Sequence, residues 1–367
     1  MMAILALSLM LFLIFQDLLL CIFLYVNFKD YSHNYQRNWP KVSVFLPCRN
    51  EELNLKDCLE ALGKIQYPKE KLQLILGNDR STDDTAQILQ SWVKENPEST
   101  YFEVMEGDIH RMNGKANALS QMAKISKGDF YLYTDADCVV PPTWLTEMVS
   151  ACLLAQAGMV TGITKVSGQS KFEVMQSLDW WLTLGMVKIM DDLGNSVTSM
   201  GNNMLISKEA YEAVGGFEGI PFSLTEDFEM AKNVLEKGFR NIHFVSKGNL
   251  VETKAQQKFK ELLKQRKRWM AGAMGLPVFW KVLLSLQVLF FPAILFYCFL
   301  YPLEGFLIWS MKVIIQGVFL YSFASKTGQK LKIRDLIGFE IYYLIISWST
   351  IVYYFWPSKT DWKGRGY

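Results

Sequence analysis

Two carboxylates separated by one residue are the first feature of this 367-residue sequence that could do chemistry. Asp135 and Asp137 end a mostly apolar run at residues 130–134, and residues two apart on an extended backbone point the same way. Both carboxylates can therefore face one cation, and Mg²⁺ or Mn²⁺ prefers oxygen ligands and bridges to substrate phosphates. A solvated turn is the ordinary explanation of such a triplet, but its place after a hydrophobic strand favours a metal site.

A second acidic pair, Glu226 and Asp227, follows Thr225 about ninety residues further on, just before a helical pattern at 228–238. Acids at a helix N-terminus complement the backbone dipole, which is a sufficient structural explanation for both side chains. The alternative is that one of them takes a proton during catalysis.

A third candidate lies in the basic segment 265–269. Gln265 and Trp269 are four residues apart and Arg268 adjoins them, so the three side chains share one helical face. Arginines beside a membrane commonly meet lipid phosphates. A guanidinium next to an indole can instead bind a diphosphate while the indole stacks on a sugar ring.

The segments that must position these residues alternate between strand-like and helix-like patterns. Strands are predicted at 42–47, 72–76, 101–105 and 129–134, and helices at 51–65, 85–93 and 114–125. This alternation predicts an α/β domain with a mainly parallel sheet covered on both faces. Ligands of such sheets bind at the carboxyl ends of the strands. The polar clusters at 49–51, 78–79 and 135–137 each follow a strand, so one shared site is expected there.

Apolar segments flank this soluble region on both sides. Residues 1–28 contain one charged residue, Asp17, and predict a retained membrane anchor with Asp17 turned towards other helices. They lack the basic start, short apolar run and cleavage site of a signal peptide. Two further spans are predicted in 282–325, divided by Pro302 and Gly305, and a third in 336–356.

Basic clusters next to the spans predict a cytoplasmic middle region. They comprise Lys254, Lys258, Lys260, Lys264, Arg266, Lys267 and Arg268, and then Lys326, Lys330, Lys332 and Arg334. Four full crossings would leave the tail with Lys359, Lys363 and Arg365 outside, against this rule. Either the rule is broken here or one span is re-entrant.

Five regions are therefore predicted. They are an anchor at 1–28, a cytoplasmic catalytic domain at 29–253, an amphipathic interfacial helix region at 254–281, membrane spans at 282–356 and a tail at 357–367. The balance of 38 Lys and Arg against 36 Asp and Glu argues against a general nucleic-acid binder.

Taken together, these motifs resemble the membrane-bound family 2 glycosyltransferases, which include hyaluronan, chitin and cellulose synthases and ceramide glucosyltransferase. Five matching elements occur in family order, at 47–51, 78–81, 135–137, 225–227 and 265–269. The segment 114–116 and the loop 201–203 also fit. Each motif is weak alone, but their order and spacing over about residues 40–275 are specific.

The resemblance implies a GT-A fold, an inverting mechanism and a divalent cation, Mg²⁺ or Mn²⁺. Asp227 would be the general base, and Asp135 and Asp137 would hold the metal. Asp79 would contact the uracil or ribose of the donor. The full implied donor set is Glu51, Asp79, Lys115, Asp135, Gln265 and Arg268, and the implied acceptor set is Asn202, Glu226 and Trp269.

This chain departs from the family at Asn78, where many relatives have a second acid, and at Arg80, where glycine is frequent.

The resemblance leaves the acceptor open. A nucleotide diphosphate sugar, first of all a UDP-sugar, would be the donor, and a β-linked glycan made processively would be the product. Single transfer to a lipid is the alternative, and a non-catalytic nucleotide-sugar-binding scaffold is a remote third. We expect an integral protein of a bacterial inner or plasma membrane; its sugar, linkage and oligomeric state cannot be read from the sequence.

Overall fold

A computed structural model describes residues 1–32, 38–108, 110–196 and 198–357, together with the backbone of 361–362 and 365–366. Lys359, Lys363 and the Arg365 side chain of the predicted tail lie outside the described residues. The chain divides into two compact units. The helical unit contains Met1–Phe28, Gly168–Ile189 and Ala255–Ser358, and the sheet unit contains Lys29–Ser167, Met190–Lys254 and Lys359–Tyr367. The predicted division into five regions stays a prediction.

The sheet unit is built on a seven-stranded mixed sheet. Its strands are β1 (Val42–Cys48), β2 (Leu72–Asn78), β3 (Ser99–Glu103), β4 (Phe130–Tyr133), β6 (Met159–Thr161), β8 (Met204–Ser207) and β9 (Asn241–His243). The order is β3-β2-β1-β4-β8-β6-β9. The first four strands pair in parallel, β8 runs antiparallel to β4 and β6, and β6 and β9 pair in parallel. The predicted mainly parallel sheet is confirmed.

A smaller sheet and a set of helices complete this unit. The three strands β5 (Cys138–Val139), β7 (Thr164–Ser167) and β10 (Val251–Lys254) pair in the order β5-β10-β7. The helices are α2 (Leu55–Gly63), α3 (Thr85–Glu95), α4 (Gly114–Lys124), α5 (Trp144–Ala155), α7 (Lys208–Val214), α8 (Gly216–Gly219) and α9 (Glu226–Glu236). A 3-10 turn spans Lys69–Lys71, and β11 (Asp361–Trp362) pairs with β12 (Arg365–Gly366).

Alternating side chains of β1 reach two separate cores, one on each face of the sheet. Val44 and Leu46 join one buried cluster, while Phe45 joins the other. This follows from the strand period of two, which sends successive side chains to opposite faces. The prediction that both faces are covered is confirmed.

One helix starts later than its hydrophobic pattern predicts. We expected a helix from residue 51, but α2 begins at Leu55. The Glu51 N–H donates to Thr85 Oγ1 at 2.8 Å, and Asn54 Nδ2 donates to Glu51 Oε2 at 2.7 Å. These bonds hold the segment as a loop, because polar side chains compete with helical hydrogen bonding.

The helical unit contains four helices long and apolar enough to cross a membrane. They are α1 (Met2–Val26), α11 (Val278–Leu300), α12 (Pro302–Ser325) and α13 (Ile333–Phe355). Pro302 begins α12 at a position where its missing N–H costs nothing. One N-terminal and three C-terminal candidate membrane helices were predicted, and this is confirmed.

Two further helices belong wholly or mainly to this unit. The first is α6 (Lys171–Asp192), of which residues 171–189 lie here. The second is α10 (Phe259–Ala273), which is shorter than the interfacial helix region predicted for 254–281, and Lys254 is instead the last residue of β10.

A buried ion pair joins two of the candidate membrane helices. Asp17 of α1 accepts a hydrogen bond from Lys312 Nζ of α12, and each residue is only 5% exposed. Glu340 of α13 is 2% exposed and interacts electrostatically with Lys312. The expectation that Asp17 faces other helices is confirmed.

Replacing Lys312 with Met should leave two buried carboxylates, those of Asp17 and Glu340, without a neighbouring cation. Removing one partner of a buried pair typically costs about 3–5 kcal/mol, so we expect the melting temperature of the purified protein in detergent to fall markedly. The double variant Asp17→Asn/Lys312→Met should recover part of that loss. Lys330→Met, which changes an exposed lysine, should melt like the wild type. Equal melting of Lys312→Met and Lys330→Met would contradict a stabilising role for the pair.

Candidate active site

The acidic triplet lies where β4 ends, at the carboxyl edge of the parallel strands. Ala136 is 1% exposed and belongs to the core, and the Cys138 N–H donates to the Asp135 carbonyl at 3.0 Å, which closes a turn directly after the strand. The Asp135 carboxylate is 34% exposed and pairs with Lys115 Nζ. Asp137 is partly buried, and its Oδ1 accepts a hydrogen bond from Cys138 Sγ at 3.5 Å.

Lys115 connects this triplet to the second acidic pair. It lies in the first turn of α4, and its Nζ is 3.8 Å from Glu226 Oε1 as well as paired with Asp135. The Asn113 side chain fixes the turn: its Oδ1 accepts the Ala116 N–H at 2.8 Å and its Nδ2 donates to Glu226 Oε2 at 2.8 Å. Asn113 thus caps α4 and binds Glu226 at the same time.

The charged groups at this edge differ in whether a neighbouring opposite charge balances their own. Burial opposes the charge on Lys115, but the Asp135 and Glu226 carboxylates outweigh it and raise the pKa of Lys115. Burial raises the pKa of Glu226, and the Lys115 ammonium opposes that rise. Burial and the carboxylates of Asp135 and Glu51 raise the pKa of Asp137 to about 6. Asp137 is therefore the acid whose surroundings favour an added positive charge.

Asp227 is held by two backbone donors in the first turn of α9. Its Oδ2 accepts the Gly201 N–H at 2.7 Å, and its Oδ1 accepts the Phe228 N–H at 2.8 Å. A Cβ on residue 201 would lie 3.1 Å from Asp227 Oδ2, so only glycine allows this approach without displacement. The carboxylate is thus fixed in orientation, and each oxygen retains a second lone pair.

The two residues that follow Gly201 already have hydrogen-bond partners within the protein. Asn202 is 9% exposed, and its Oδ1 accepts a hydrogen bond from Thr164 Oγ1 at 3.3 Å. Asn203 is fully buried and its Oδ1 accepts the Trp144 indole N–H at 2.8 Å.

The end of β2 and the loop after it contain Asn78 and Arg80, the two positions at which this chain departs from the family. Asn78 is buried, and its Nδ2 donates to Glu103 Oε1 at 2.9 Å and to Glu103 Oε2 at 3.0 Å. Arg80 has φ +54°, a left-handed conformation that glycine adopts without steric cost. This backbone gives a physical reason for glycine at the equivalent place in relatives. Asp79 itself is only 2% exposed.

In the helical unit, the motif 265–269 divides its basic residues between structural contacts and a remaining cation. Arg266 pairs with Asp179 of α6, and Lys267 Nζ donates to the Trp356 carbonyl at 2.8 Å. Trp269 packs edge-on against Trp180, with ring centroids 5.5 Å apart. Within the described residues, Arg268 makes no side-chain hydrogen bond or ion pair, and neither does Gln265.

The sheet unit brings Glu51, Lys115, Asp135, Asp137, Glu226 and Asp227 to one edge of the sheet, with Asp79 buried nearby. Gln265, Arg268 and Trp269 belong to the other unit. The functional roles assigned to all these residues stay predictions.

No cluster of three or more His, Cys, Asp or Glu side chains is arranged to hold a metal among the described residues. The carboxylates of Asp135 and Asp137, together with substrate phosphates and waters, would form an oxygen ligand set of the kind that Mg²⁺ or Mn²⁺ prefers.

Sequence reasoning missed Asn113, and it named the loop 201–203 without the contact between Gly201 and Asp227. Asn113 carried a usable signal, since an Asn directly before a helical pattern marks an N-cap. Gly201 carried none, because its partner Asp227 is 26 residues away in sequence.

The seven-stranded mixed sheet with its flanking helices has a GT-A fold. It is similar to the fold of a mannosyltransferase from Pyrobaculum calidifontis, PcManGT, solved with GDP-Man and Mn²⁺. The two are 16% identical with a TM-score of 0.62, over 98% of this chain and 100% of that one. This likeness supports the predicted fold.

The family model of glycosyl transferase family 21 matches residues 5–367, so the chain belongs to this family. It is 28% identical to the probable glycosyltransferase YdaM of Bacillus subtilis (strain 168) over 261 residues, 68% of this chain and 59% of that relative. It is also 28% identical to the poly-beta-1,6-N-acetyl-D-glucosamine synthase of Staphylococcus aureus (strain COL) over 204 residues, 54% of this chain and 47% of that relative. The chain thus spans about half of the length of these relatives.

The chain is therefore a member of a glycosyltransferase family, as the motifs indicated.

Replacing Asp137 with Asn should stabilise the metal-free protein at neutral pH. Its folded-state pKa of about 6 lies above the ordinary 3.8, so this carboxyl stabilises folding below the lower value and that contribution is lost as the pH rises through 6. A tenfold change in acidity is worth about 1.4 kcal/mol, so we expect a gain of about 1–3 kcal/mol, measured by thermal melting in a chelator.

Near pH 4 the gain should disappear, because the native carboxyl is then protonated. Asp135→Asn is the matched control: it loses the Lys115 pair and should not stabilise. If Asp137→Asn melted below the wild type at neutral pH, the unfavourable charge would be assigned to the wrong acid.

Proposed function

We propose that this glycosyltransferase is an inverting, metal-dependent enzyme that transfers a sugar from a nucleotide diphosphate sugar, first of all a UDP-sugar, to an acceptor at the cytoplasmic face of a membrane. The observation that carries the proposal is the acidic edge of the sheet unit. There Asp135, Lys115 and Glu226 form a connected charge network, and Asp227 is the next residue along.

The donor end of the reaction needs positive charge, because breaking the bond to a nucleotide diphosphate leaves negative charge on the leaving oxygen. A Mg²⁺ or Mn²⁺ ion bound by Asp135 and Asp137 would supply part of that charge. Lys115 holds Asp135 in place. Arg268, with no other side-chain partner within the described residues, is available to bind the diphosphate.

At the acceptor end, Asp227 is the proposed base. An acceptor hydroxyl is a poor nucleophile until a carboxylate takes its proton as attack proceeds. The Gly201 and Phe228 N–H groups hold the Asp227 carboxylate in one orientation, which prepares it for this transfer. Attack by that oxygen opposite the leaving diphosphate inverts the anomeric carbon. Trp269 would border the acceptor, and Glu226 and Asn202 would complete its surroundings.

A glycan acceptor is favoured by the similarity to a poly-beta-1,6-N-acetyl-D-glucosamine synthase. The basic clusters beside the candidate membrane helices support a cytoplasmic catalytic domain. A lipid acceptor is the second candidate, because a secretion channel for a polymer needs more helices, or partner subunits, than the four candidate spans of the described chain.

Full-length protein in membranes, incubated with a panel of radiolabelled nucleotide sugars, should incorporate label from a UDP-sugar. We expect a ladder or a high-mass product on sizing, since the proposed acceptor is a glycan. A single-sugar product in the lipid extract would instead support the second candidate. Absence of incorporation from every nucleotide sugar would refute the transferase proposal.

Asp227→Asn should lower the transfer rate by about 10²–10⁴-fold, because a positioned base contributes that much. UDP affinity, measured by calorimetry, should stay within about twofold, which is less than 0.5 kcal/mol. The matched control is Glu229→Gln in the same turn of α9, whose carboxylate bonds to Asn233 of its own helix. Full activity of Asp227→Asn would remove this residue from the base role.

Dialysis against EDTA should lower UDP affinity by about tenfold or more, and Mn²⁺ should restore it. Asp137→Asn should prevent the restoration, since the proposed site would lose a carboxylate ligand. Asp129→Asn, at the opposite end of β4, is the control and should respond to Mn²⁺ like the wild type. UDP binding that ignores EDTA would contradict metal dependence.

A further inference from the structure

Glu340 is a buried acid that the proposed reaction does not use. It lies on α13, one of the candidate membrane helices, and is 2% exposed. Among the described residues, neither of its carboxyl oxygens has a partner within hydrogen-bonding geometry. An ionised carboxylate in such surroundings costs a great deal of free energy unless a charge pairs with it, and a buried acid commonly becomes neutral instead.

The neighbours of Glu340 supply one cation for two acids. Lys312 of α12 interacts electrostatically with both Glu340 and Asp17. Asp17 of α1 accepts a hydrogen bond from Lys312 Nζ, whereas Glu340 does not. One ammonium balances one carboxylate, and the geometry assigns the ammonium to Asp17.

Gln316 is a second unpaired polar group beside Glu340. It follows Lys312 by one helical turn on α12, is 4% exposed and interacts with Glu340. Within the described chain, its Nε2 has no hydrogen-bond partner either. A protonated carboxyl offers one donor and an acceptor, as an amide does, so acid and amide can pair there without a net charge.

The other groups around this cluster are uncharged or already paired. Tyr343, one turn along α13, interacts with Glu340 through a phenol, which is neutral near neutral pH. From α11, the Phe290 ring centroid lies 5.4 Å from Lys312 Nζ. Arg266 of α10 reaches the same tyrosine but is paired with an acid of α6. These neighbours therefore give Glu340 no second cation.

We infer that Glu340 is a proton-binding site inside the helical unit: it carries a proton near neutral pH, and Asp17 alone balances the charge of Lys312. This assignment makes the three side chains neutral in sum, which is the arrangement that costs a buried cluster least. It is independent of the proposed function, because none of the three belongs to the acidic edge.

A hydrophobic carbodiimide tests where the proton lies. Dicyclohexylcarbodiimide adds to a protonated carboxyl, because a reagent nitrogen takes up the proton while the central carbon bonds to the carboxyl oxygen. With the full-length protein in detergent near neutral pH, peptide mass spectrometry should find the adduct on Glu340 and not on Asp17. Glu340→Gln should remove the adduct. Glu304→Gln, which changes an exposed acid in the first turn of α12, should keep it.

Changing the partners should move the proton in a defined way. Lys312→Met should add a second adduct on Asp17, because this acid then lacks a cation and takes up a proton itself. That adduct also shows that the reagent reaches the cluster. Asp17→Asn should lower the labelling of Glu340 by about tenfold or more, because Lys312 then pairs with Glu340 and favours its ionised form.

Thermal melting supplies a measurement that does not depend on access of the reagent. Near neutral pH, Glu340→Gln should melt within about 2 °C of the wild type, because a neutral amide replaces a neutral carboxyl. In the Asp17→Asn background the same change should clearly lower the melting temperature, since it removes the remaining acid beside Lys312. A wild type labelled on Asp17, or not labelled on Glu340, overturns the inference. An equal fall in melting temperature from Glu340→Gln in both backgrounds overturns it as well.

Discussion

The ion pairs of one buried lysine are the interaction on which the acidic edge depends. Lys115 lies between Asp135, which follows a strand, and Glu226, which begins a helix. Buried carboxylates repel one another and lose hydration, so a group of them is stable only with a cation or protons nearby. Lys115 offsets the charge of two acids and leaves Asp137 as the acid whose pKa burial and its neighbours raise. The same distribution that permits folding leaves a place for an added cation.

Precision at this edge comes from backbone groups more than from side chains. Gly201 donates its N–H to Asp227 at 2.7 Å because it has no Cβ to keep the chains apart. Asn113 both caps α4 and binds Glu226, so the helix that carries Lys115 and the helix that carries Asp227 are tied together. In their proposed roles, Asp227 and Asp135 would already be oriented by such contacts before substrate binds, as electrostatic catalysis requires.

The helical unit follows the same rule in a less polar setting. Asp17 and Lys312, each 5% exposed, pair with each other, and Arg266 pairs with Asp179 on α6. Because Arg266 and Lys267 are used for packing, Arg268 is the arginine of the motif that stays available. Helical spacing singled out Arg268 among three consecutive basic residues, and the fold shows what the other two contact.

The sequence by itself determined the first four strands of the sheet unit, the four apolar helices and the acids that gather at one edge, because periodicity and strand-end position are local properties. It also carried the glycosyltransferase class, through the order of its motifs. Tertiary structure decided which of those polar residues are paired and which are exposed. The burial of Asp79, the late start of α2 and the glycine contact to Asp227 all depend on residues far apart in the chain. The periodicity of the sequence cannot indicate these contacts, because it reflects only residues that are close to one another along the chain.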